Sequence, residues 1–285
     1  MIKGVITDID GVIVGNKTDF NFPMPHPEVL QRLKATNNSG IVVSLCTVKP
    51  YFAITDIVEG ASLSGLQITQ GGGAIINASD DSVVKAHVLD NEIAQMIVKT
   101  CLDNDCYVEI HTELEYYVQS SQRSDTTVMH TSILQKDPVF VDSLLETTKN
   151  EQVVKIMPIA RNDEAMHVID QKLQQFTDRV SLSWASQPAA LPWRLCVITA
   201  QGISKAQGSH EVAEYYHINV DELLGIGDST ADWQFMEHCG YAAATGNASD
   251  ELKQLVSSKG ERGFIGKHVN ENGVLGIFDH FGLKG

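Results

Sequence analysis

The sequence is poor in positive charge. It sets 21 Lys and Arg against 36 Asp and Glu, for a formal net charge of −15 and a pI near 5.0. Nucleic acid and anionic membrane surfaces both require clustered Lys and Arg, so neither is expected as a main partner. Cysteine is scarce as well. The five thiols, Cys46, Cys101, Cys106, Cys196 and Cys239, are odd in number, and no two have C-x2-C spacing. That pattern speaks against a disulfide framework and a zinc knuckle, and for scattered thiols in a reducing cytoplasm. No apolar run approaches the ~20 residues of a membrane span. Met1-Ile2-Lys3-Gly4 leads directly into a strand-like run, so a signal peptide is not expected. Internal repeats and low-complexity tracts are also missing, and a homo-oligomer is neither required nor excluded.

What remains is ordinary globular material: 285 residues, 43% apolar and 20% charged, enough to bury a core in one or two domains. Residues 4–9 are a β-rich run, and 25–35 have helical spacing with Val29, Leu30 and Leu33 apolar. Residues 41–46 read as a short, wholly apolar strand of the kind buried on both faces of a parallel sheet. A helix-like segment after Pro50 and a strand at 66–69 continue the alternation, which is the doubly wound signature. From about 78 to 199 polar, alternating stretches take over. They predict a hairpin at 107–110 and 116–119, strands at 153–158, 180–184 and 195–199, and a helix at 164–176. After Gly202 the first pattern resumes, with helices at 205–216, 230–239 and 250–256 and strands at 223–226 and 241–244. The expected organisation is a discontinuous α/β core, residues 1–79 and 200–285, interrupted by an α+β domain over 80–199.

Three distant segments carry chemistry. Asp8-Ile9-Asp10-Gly11 ends the first strand, where open α/β folds bind ligands. An aspartate there can attack phosphorus and form an aspartyl-phosphate, and a second can protonate a leaving alkoxide and then deprotonate water. Alone, the triplet reads equally well as a solvated or capping loop. Gly227-Asp228-Ser229-Thr230-Ala231-Asp232 also follows an apolar strand and opens a helix. Its two carboxylates, joined with Asp8, make a hard oxygen site suited to Mg²⁺; the plainer reading is a helix cap favoured by the dipole. Thr47 ends the second apolar strand and Lys205 opens the helix after Gly202, so each could hold a phosphoryl oxygen, or be a plain turn threonine and a solvated lysine.

In this order the segments resemble the four motifs of the haloacid dehalogenase superfamily: Asp8-Ile9-Asp10-Gly11 the first, Thr47 the second, Lys205 the third, Asp228 with Asp232 the fourth. An insert between the second and third motifs is similar to a type IIB (C2) cap. Gly202-Ile203-Ser204-Lys205, GDSTADWQFMEHCGYAAATGNASDELK and Asn272-Gly273-Val274 resemble the Cof-type sugar phosphatases. The resemblance implies a Rossmann-like doubly wound core with a C2-type cap. It also implies a Mg²⁺-dependent phosphatase acting on a small phosphorylated metabolite, with sugar phosphate the expected class, and no nucleic-acid or membrane partner. Asp8 would be nucleophile and metal ligand, and Asp10 general acid/base with its carbonyl on the metal. Thr47 and Lys205 would hold the phosphoryl group, Asp228 would bind the metal, and Asp232 would support it directly or through water. A phosphomutase resembling phosphomannomutases, or a non-catalytic sensor of a phosphorylated ligand, could use the same scaffold.

The chain departs from the family pattern where Thr47-Val48-Lys49-Pro50 replaces T-G-R-P and where Gly72-Gly73-Ala74 replaces Asn-Gly-Ala. Lys49 keeps the charge but loses the guanidinium fork. A cap that closes over the site would set specificity. Its sequence candidates are His111, Glu113, Glu115, Arg123, His130 and Arg161, with Trp184 and Trp193 able to stack on a sugar or to pack in a core.

Overall fold

A computed structural model describes residues 1–185 and 190–283. In chain order the first part carries β1 (Gly4–Thr7), α1 (Pro27–Asn38), β2 (Val42–Leu45), α2 (Thr55–Gly60), β3 (Leu66–Thr69), β4 (Ala74–Asn77) and β5 (Ser82–Ala86). The middle carries α3 (Asn91–Asp103), β6 (Tyr107–His111), β7 (Tyr116–Gln119), α4 (Asp125–Leu134), β8 (Val139–Val141), α5 (Leu144–Asn150), β9 (Lys155–Ala160), α6 (Asp163–Leu173), β10 (Val180–Ala185) and β11 (Arg194–Ala200). The last part carries α7 (Lys205–Tyr215), β12 (Leu223–Gly227), α8 (Trp233–Met236), β13 (Tyr241–Ala244), α9 (Asp250–Ser257), β14 (Gly263–Ile265) and α10 (Gly273–His280). No described helix is long and apolar enough to cross a membrane.

β1 and β12 lie side by side because both are largely apolar and every residue is buried, the pattern of a strand covered on two faces. The parallel sheet runs β14-β13-β12-β1-β2, with Gly4 opposite Leu223 on one side and Val42 on the other. On one face Val5, Val43, Leu224 and Ile226 pack with Val29 and Leu33 of α1 and Ile277 of α10. On the other, Ile6, Leu223 and Ala242 pack with Val212 of α7, Phe235 of α8 and Leu252 of α9. Helices on both faces make this the doubly wound core, with all strand carboxyl ends at one edge.

Two elements differ from the sequence expectation. β3 is a strand, but it joins the parallel sheet only through a bridge between Cys46 and Ile68; its ladder is antiparallel to β4, which pairs in turn with β5. The expected division at 79/80 therefore falls inside the β4–β5 hairpin. The segment expected as a helix at 230–239 is a 3₁₀ turn at Thr230–Asp232 followed by the single turn of α8. The Asp232 carboxylate accepts from the Asp228 and Ser229 N–H groups, which winds that entry tightly.

The middle segment forms a mixed sheet in the order β10-β11-β9-β6-β7-β8, antiparallel except for β7–β8. α3 and α6 cover one face through Ile93, Ile97, Ile169 and Leu173. The other face, including Tyr116, Val118 and Leu195, packs on Val48, Phe52 and Ala53, the residues just after Thr47. The seam is also polar. Lys155 Nζ donates to the Val48 carbonyl at 2.9 Å, and Gln70 Nε2 donates to Thr112 O at 2.9 Å. Beside Lys155 lies a buried carboxylate, Glu109, which accepts from Tyr107 Oη at 3.0 Å and takes His111 Nε2 at 3.1 Å and His130 Nδ1 at 2.8 Å. Burial opposes the Glu109 charge, but His130 and His111 outweigh it and hold the group ionised. Burial pushes Lys155 down to about 7, with Glu109 pulling the other way.

That buried amine sets a pH dependence. Unfolded, Lys155 keeps its proton to about 10.5, while folded it releases it near 7. Between these values the unfolded chain binds more protons, so this group's contribution to stability rises with pH, at up to ~1.4 kcal/mol per unit. Denaturant unfolding of wild type and Lys155→Met near pH 7 and near pH 10 is expected to show wild type gaining on the variant at the higher pH. A difference independent of pH would contradict the assignment.

Candidate active site

The strand ends of β1, β2 and β12 open onto a cleft of about 710 Å³ between the parallel sheet and the β10–β11 face of the mixed sheet. Asp8, Asp10, Thr47, Lys205, Asp228 and Asp232 all line it. β1 stops at Thr7, so Asp8 stands one residue past the ladder, with its own N–H still donating to Ile226 O at 2.9 Å. Asp8 Oδ1 accepts from the Ile9 N–H at 2.8 Å and lies 3.0 Å from Lys205 Nζ. The chain then turns through Gly11, at φ +81°. Asp10 points back to Lys49, whose Nζ is 2.8 Å from Asp10 Oδ1. The turn is fastened at the Gly11 carbonyl, which accepts from Thr245 Oγ1 at 3.0 Å and Asn247 Nδ2 at 2.8 Å. Sequence reasoning quoted Gly-Asn-Ala as a family signature but gave Asn247 no task.

Lys205 is the first residue of α7, after the N-cap Ser204. Its ammonium sits between Asp8 Oδ1 and Asp232 Oδ1, 2.7 Å from the latter. Burial works against that charge, yet Asp232 and Asp8 outweigh it and raise the lysine well above its ordinary range. Asp232 is held low: burial opposes ionisation, but Lys205 and the Ser229 donors outweigh it. Its Oδ2 also accepts from Asp228 N, Ser229 N and Ser229 Oγ at 3.2, 3.0 and 2.9 Å. With both oxygens so engaged, Asp232 braces the loop more than it faces the cleft.

Asp8 and Asp228 are the strained pair. Burial pushes Asp8 up to about 7, against the pull of Lys205, and Asp232 and Asp10 add to the rise. Burial and the Asp8 charge push Asp228 up to about 8. One oxygen from each of Asp8, Asp228 and Asp232 lies within 4.8 Å of the other two. Among the described residues no donor bonds the Asp228 carboxylate. A hard divalent cation fits this donor set, because it supplies the positive charge that the two raised carboxylates lack.

Thr47 is buried, and its Oγ1 accepts from the Lys49 N–H at 3.1 Å, which leaves the hydroxyl proton free to donate into the cleft. The missing family amide has a steric reason. A Cβ on Gly72 would meet Ser204 O at 2.2 Å, so the backbone entering α7 occupies the space that a side chain would need.

The six ionisable cap candidates do not meet the cleft. His111 and His130 are inside the mixed sheet on Glu109. Glu115 pairs with Lys136 at 2.7 Å, and the Arg123 guanidinium covers the Phe140 ring at 3.7 Å. Arg123 and Arg161 border a different groove, and Glu113 does not reach the cleft either. Trp184 touches the cleft rim, but its Nε1 donates to Asp170 at 2.7 Å; Trp193 donates to Thr126 at 3.1 Å. Ser181, Ser183, Leu195 and Val197 face the site instead, and sequence reading gave none of them a role.

Comparison with known proteins gives the family and the fold. The haloacid dehalogenase-like hydrolase family matches residues 5–278. A 5-amino-6-(5-phospho-D-ribitylamino)uracil phosphatase of Bacillus subtilis, YitU, is 23% identical over 268 residues, covering 89% of this chain and 90% of its own. Among solved structures, a haloacid dehalogenase-like hydrolase from Bacteroides thetaiotaomicron superposes with a TM-score of 0.83 at 18% identity, covering 99% and 100% of the two chains. The subclass IIB sugar phosphatase BT4131 superposes with a TM-score of 0.79 at 18% identity, covering 99% of each chain.

Two outcomes follow from the crowded floor. A Cβ at position 11 would lie 1.9 Å from Asp228 Oδ2, so Gly11→Ala is expected to displace that carboxylate and lower kcat/KM at least ~100-fold in a folded protein. Wild-type kinetics from a variant of unchanged circular dichroism would contradict the role of the close approach. In the metal-free protein, folded Asp8 keeps its proton to about 7 against 3.8 unfolded, so stability falls as pH rises between them. A divalent cation held by these carboxylates would remove that cost, so the effect of Mg²⁺ on Tm is expected to be larger well above pH 8 than near pH 6, and to disappear in Asp228→Asn. An equal Tm shift at both values would place the ion elsewhere.

Proposed function

The chain belongs to the haloacid dehalogenase-like hydrolases and is a phosphatase; on that premise we propose that it hydrolyses a small phosphorylated metabolite, a sugar phosphate in the first instance, with Asp8 as the nucleophile. The observation that carries the reading is the seat of Asp8. It stands at a strand end on the floor of the cleft, 3.0 Å from the Lys205 ammonium, with Asp10 and Thr47 lining the same space.

A carboxylate oxygen of Asp8 attacks phosphorus, and the bond to the leaving oxygen breaks as Asp10 gives that oxygen a proton. Lys49 keeps Asp10 aimed, through the contact at 2.8 Å. In the second half Asp10 takes a proton from water, whose oxygen attacks the same phosphorus and returns Asp8 to the carboxylate. Thr47 donates its hydroxyl to a phosphoryl oxygen. Lys205 balances Asp8 and the incoming phosphoryl charge without moving, since Asp232 already holds it in place. Asp8, Asp228 and the Asp10 carbonyl would hold Mg²⁺, with Asp232 bracing the loop. When bound, the ion offsets repulsion between the Asp8 carboxylate and the phosphoryl oxygens.

Phosphate release from a panel of sugar, nucleotide and cofactor phosphates, with Mg²⁺ and with EDTA, tests the reading. Mg²⁺-dependent release by wild type is expected, with Asp8→Asn folded and at least ~10³-fold slower. Asp8→Asn activity above a hundredth of wild type would refute the nucleophile, and no release from any ester would refute the hydrolysis.

A further inference from the structure

The walls of the cleft differ sharply in charge. Its floor carries four carboxylates, Asp8, Asp10, Asp228 and Asp232, with the Lys205 ammonium between Asp8 and Asp232 and the Lys49 ammonium on Asp10. The facing wall is made by β10 and β11. Ser181 lies opposite Thr199, Ser183 opposite Val197 and Ala185 opposite Leu195, so these six side chains share the face turned to the site. Among the described residues, no Lys, Arg, His, Asp or Glu lines that wall. The intervening sequence at 186–189 reads Ser-Gln-Pro-Ala and adds no ionisable group.

The basic residues that could have served are committed elsewhere. Arg194 belongs to the alternate face of β11, and its Nε is 2.7 Å from Asp163. Arg179 pairs with Asp90 at 3.4 Å, and Lys155 is buried on the Val48 carbonyl. What the wall does offer is the hydroxyl of Ser183 and that of Ser181, whose Oγ accepts from the Gly202 N–H at 3.0 Å and keeps its proton to donate, beside the apolar surfaces of Leu195 and Val197; the Thr199 hydroxyl is already spent on Ile203 O at 2.7 Å.

We propose that this wall selects phosphomonoesters whose leaving group is uncharged and hydroxylated, and rejects those carrying a second anionic group. The inference rests on the phosphatase reading and names the substrate class of the same site. A carboxylate or second phosphate laid against β10–β11 would lose water without gaining a counter-charge, since the ammonium groups of the floor are already paired with Asp8, Asp10 and Asp232. Hydroxyls of a neutral polyol can pair with the two serines, and its carbon face can rest on Leu195 and Val197. The same lack of a cation leaves the phosphomutase alternative without a seat for the second phosphate of a bisphosphorylated intermediate.

Matched pairs test the proposal: glucose 6-phosphate against 6-phosphogluconate, and fructose 6-phosphate against fructose 1,6-bisphosphate. Each is assayed for phosphate release by wild type with Mg²⁺, and by calorimetric binding to Asp8→Asn. The neutral member of each pair is expected to be preferred at least ~100-fold in kcat/KM and to bind more tightly. Val197→Lys, which sets an ammonium on the wall, is expected to narrow that preference at least tenfold, whereas Val197→Met is not. Equal use of both members with active wild type would overturn the selection and leave the phosphatase reading intact. No hydrolysis of any ester, but tighter binding of the neutral members, would overturn the phosphatase reading and keep the selection. No binding of any member would overturn both.

Discussion

One buried ammonium allows the rest of the site to exist. Four carboxylates converge on the cleft floor, and Lys205 lies within 3.0 Å of Asp8 and 2.7 Å of Asp232. Without it, two buried like charges would face each other with nothing between them, at a cost of several kcal/mol. Its position follows from α7, which starts one residue after the Ser204 cap, and from Gly72, whose missing side chain lets that helix entry come close. The compensation is incomplete by design of the loop: Asp232 is fully engaged, while Asp8 and Asp228 remain raised to about 7 and about 8. A site left short of positive charge in this way is ready to bind a cation and a phosphoryl group together.

The second constraint is the seam between the two sheets. The segment that follows Thr47 serves both sides. Its Val48 carbonyl takes the buried Lys155, Phe52 stacks on Tyr116 with ring centroids 5.8 Å apart, and Lys49 reaches across to Asp10. The cleft-lining Thr47, the Lys49 that pairs with Asp10 and the first footing of the mixed sheet, Val48, are therefore consecutive. A change in how the sheets meet thus reaches Lys49 and Thr47 through a short run of adjoining backbone. The histidines His111 and His130 belong to this footing through Glu109 and do not contact substrate space.

Much of this was legible in the sequence, for local reasons. The largely apolar runs of β1, β2 and β12 announce a sheet covered on both faces, and carboxylates placed immediately after two of them announce the edge where ligands sit. All six residues expected to act together do meet in one cleft. What was hidden depends on register between distant segments. β3 has a strand's composition, but nothing in Leu66–Thr69 tells whether its partner is β2 or β4. α3 has a helical signal, with Asp90 as cap and Ile93, Ile97, Val98 and Cys101 on one side, yet it was absorbed into a stretch read as polar and alternating. The cap wall was missed because its distinguishing property is a lack of charge: Ser183 and Val197 are unremarkable until β10 and β11 pair and turn them to the site. Charged residues drew attention to Arg123 and Arg161, which border another groove.

The central claim is that Asp8 carries the phosphoryl group. The direct measurement is rapid quenching of wild type during turnover, reduction with borohydride and peptide mapping, since an aspartyl-phosphate is converted to homoserine while a free carboxylate is not. The account predicts homoserine at position 8 alone, appearing only when substrate is present. Homoserine at position 10, or its absence from every position while phosphate is being released in steady turnover, would contradict it.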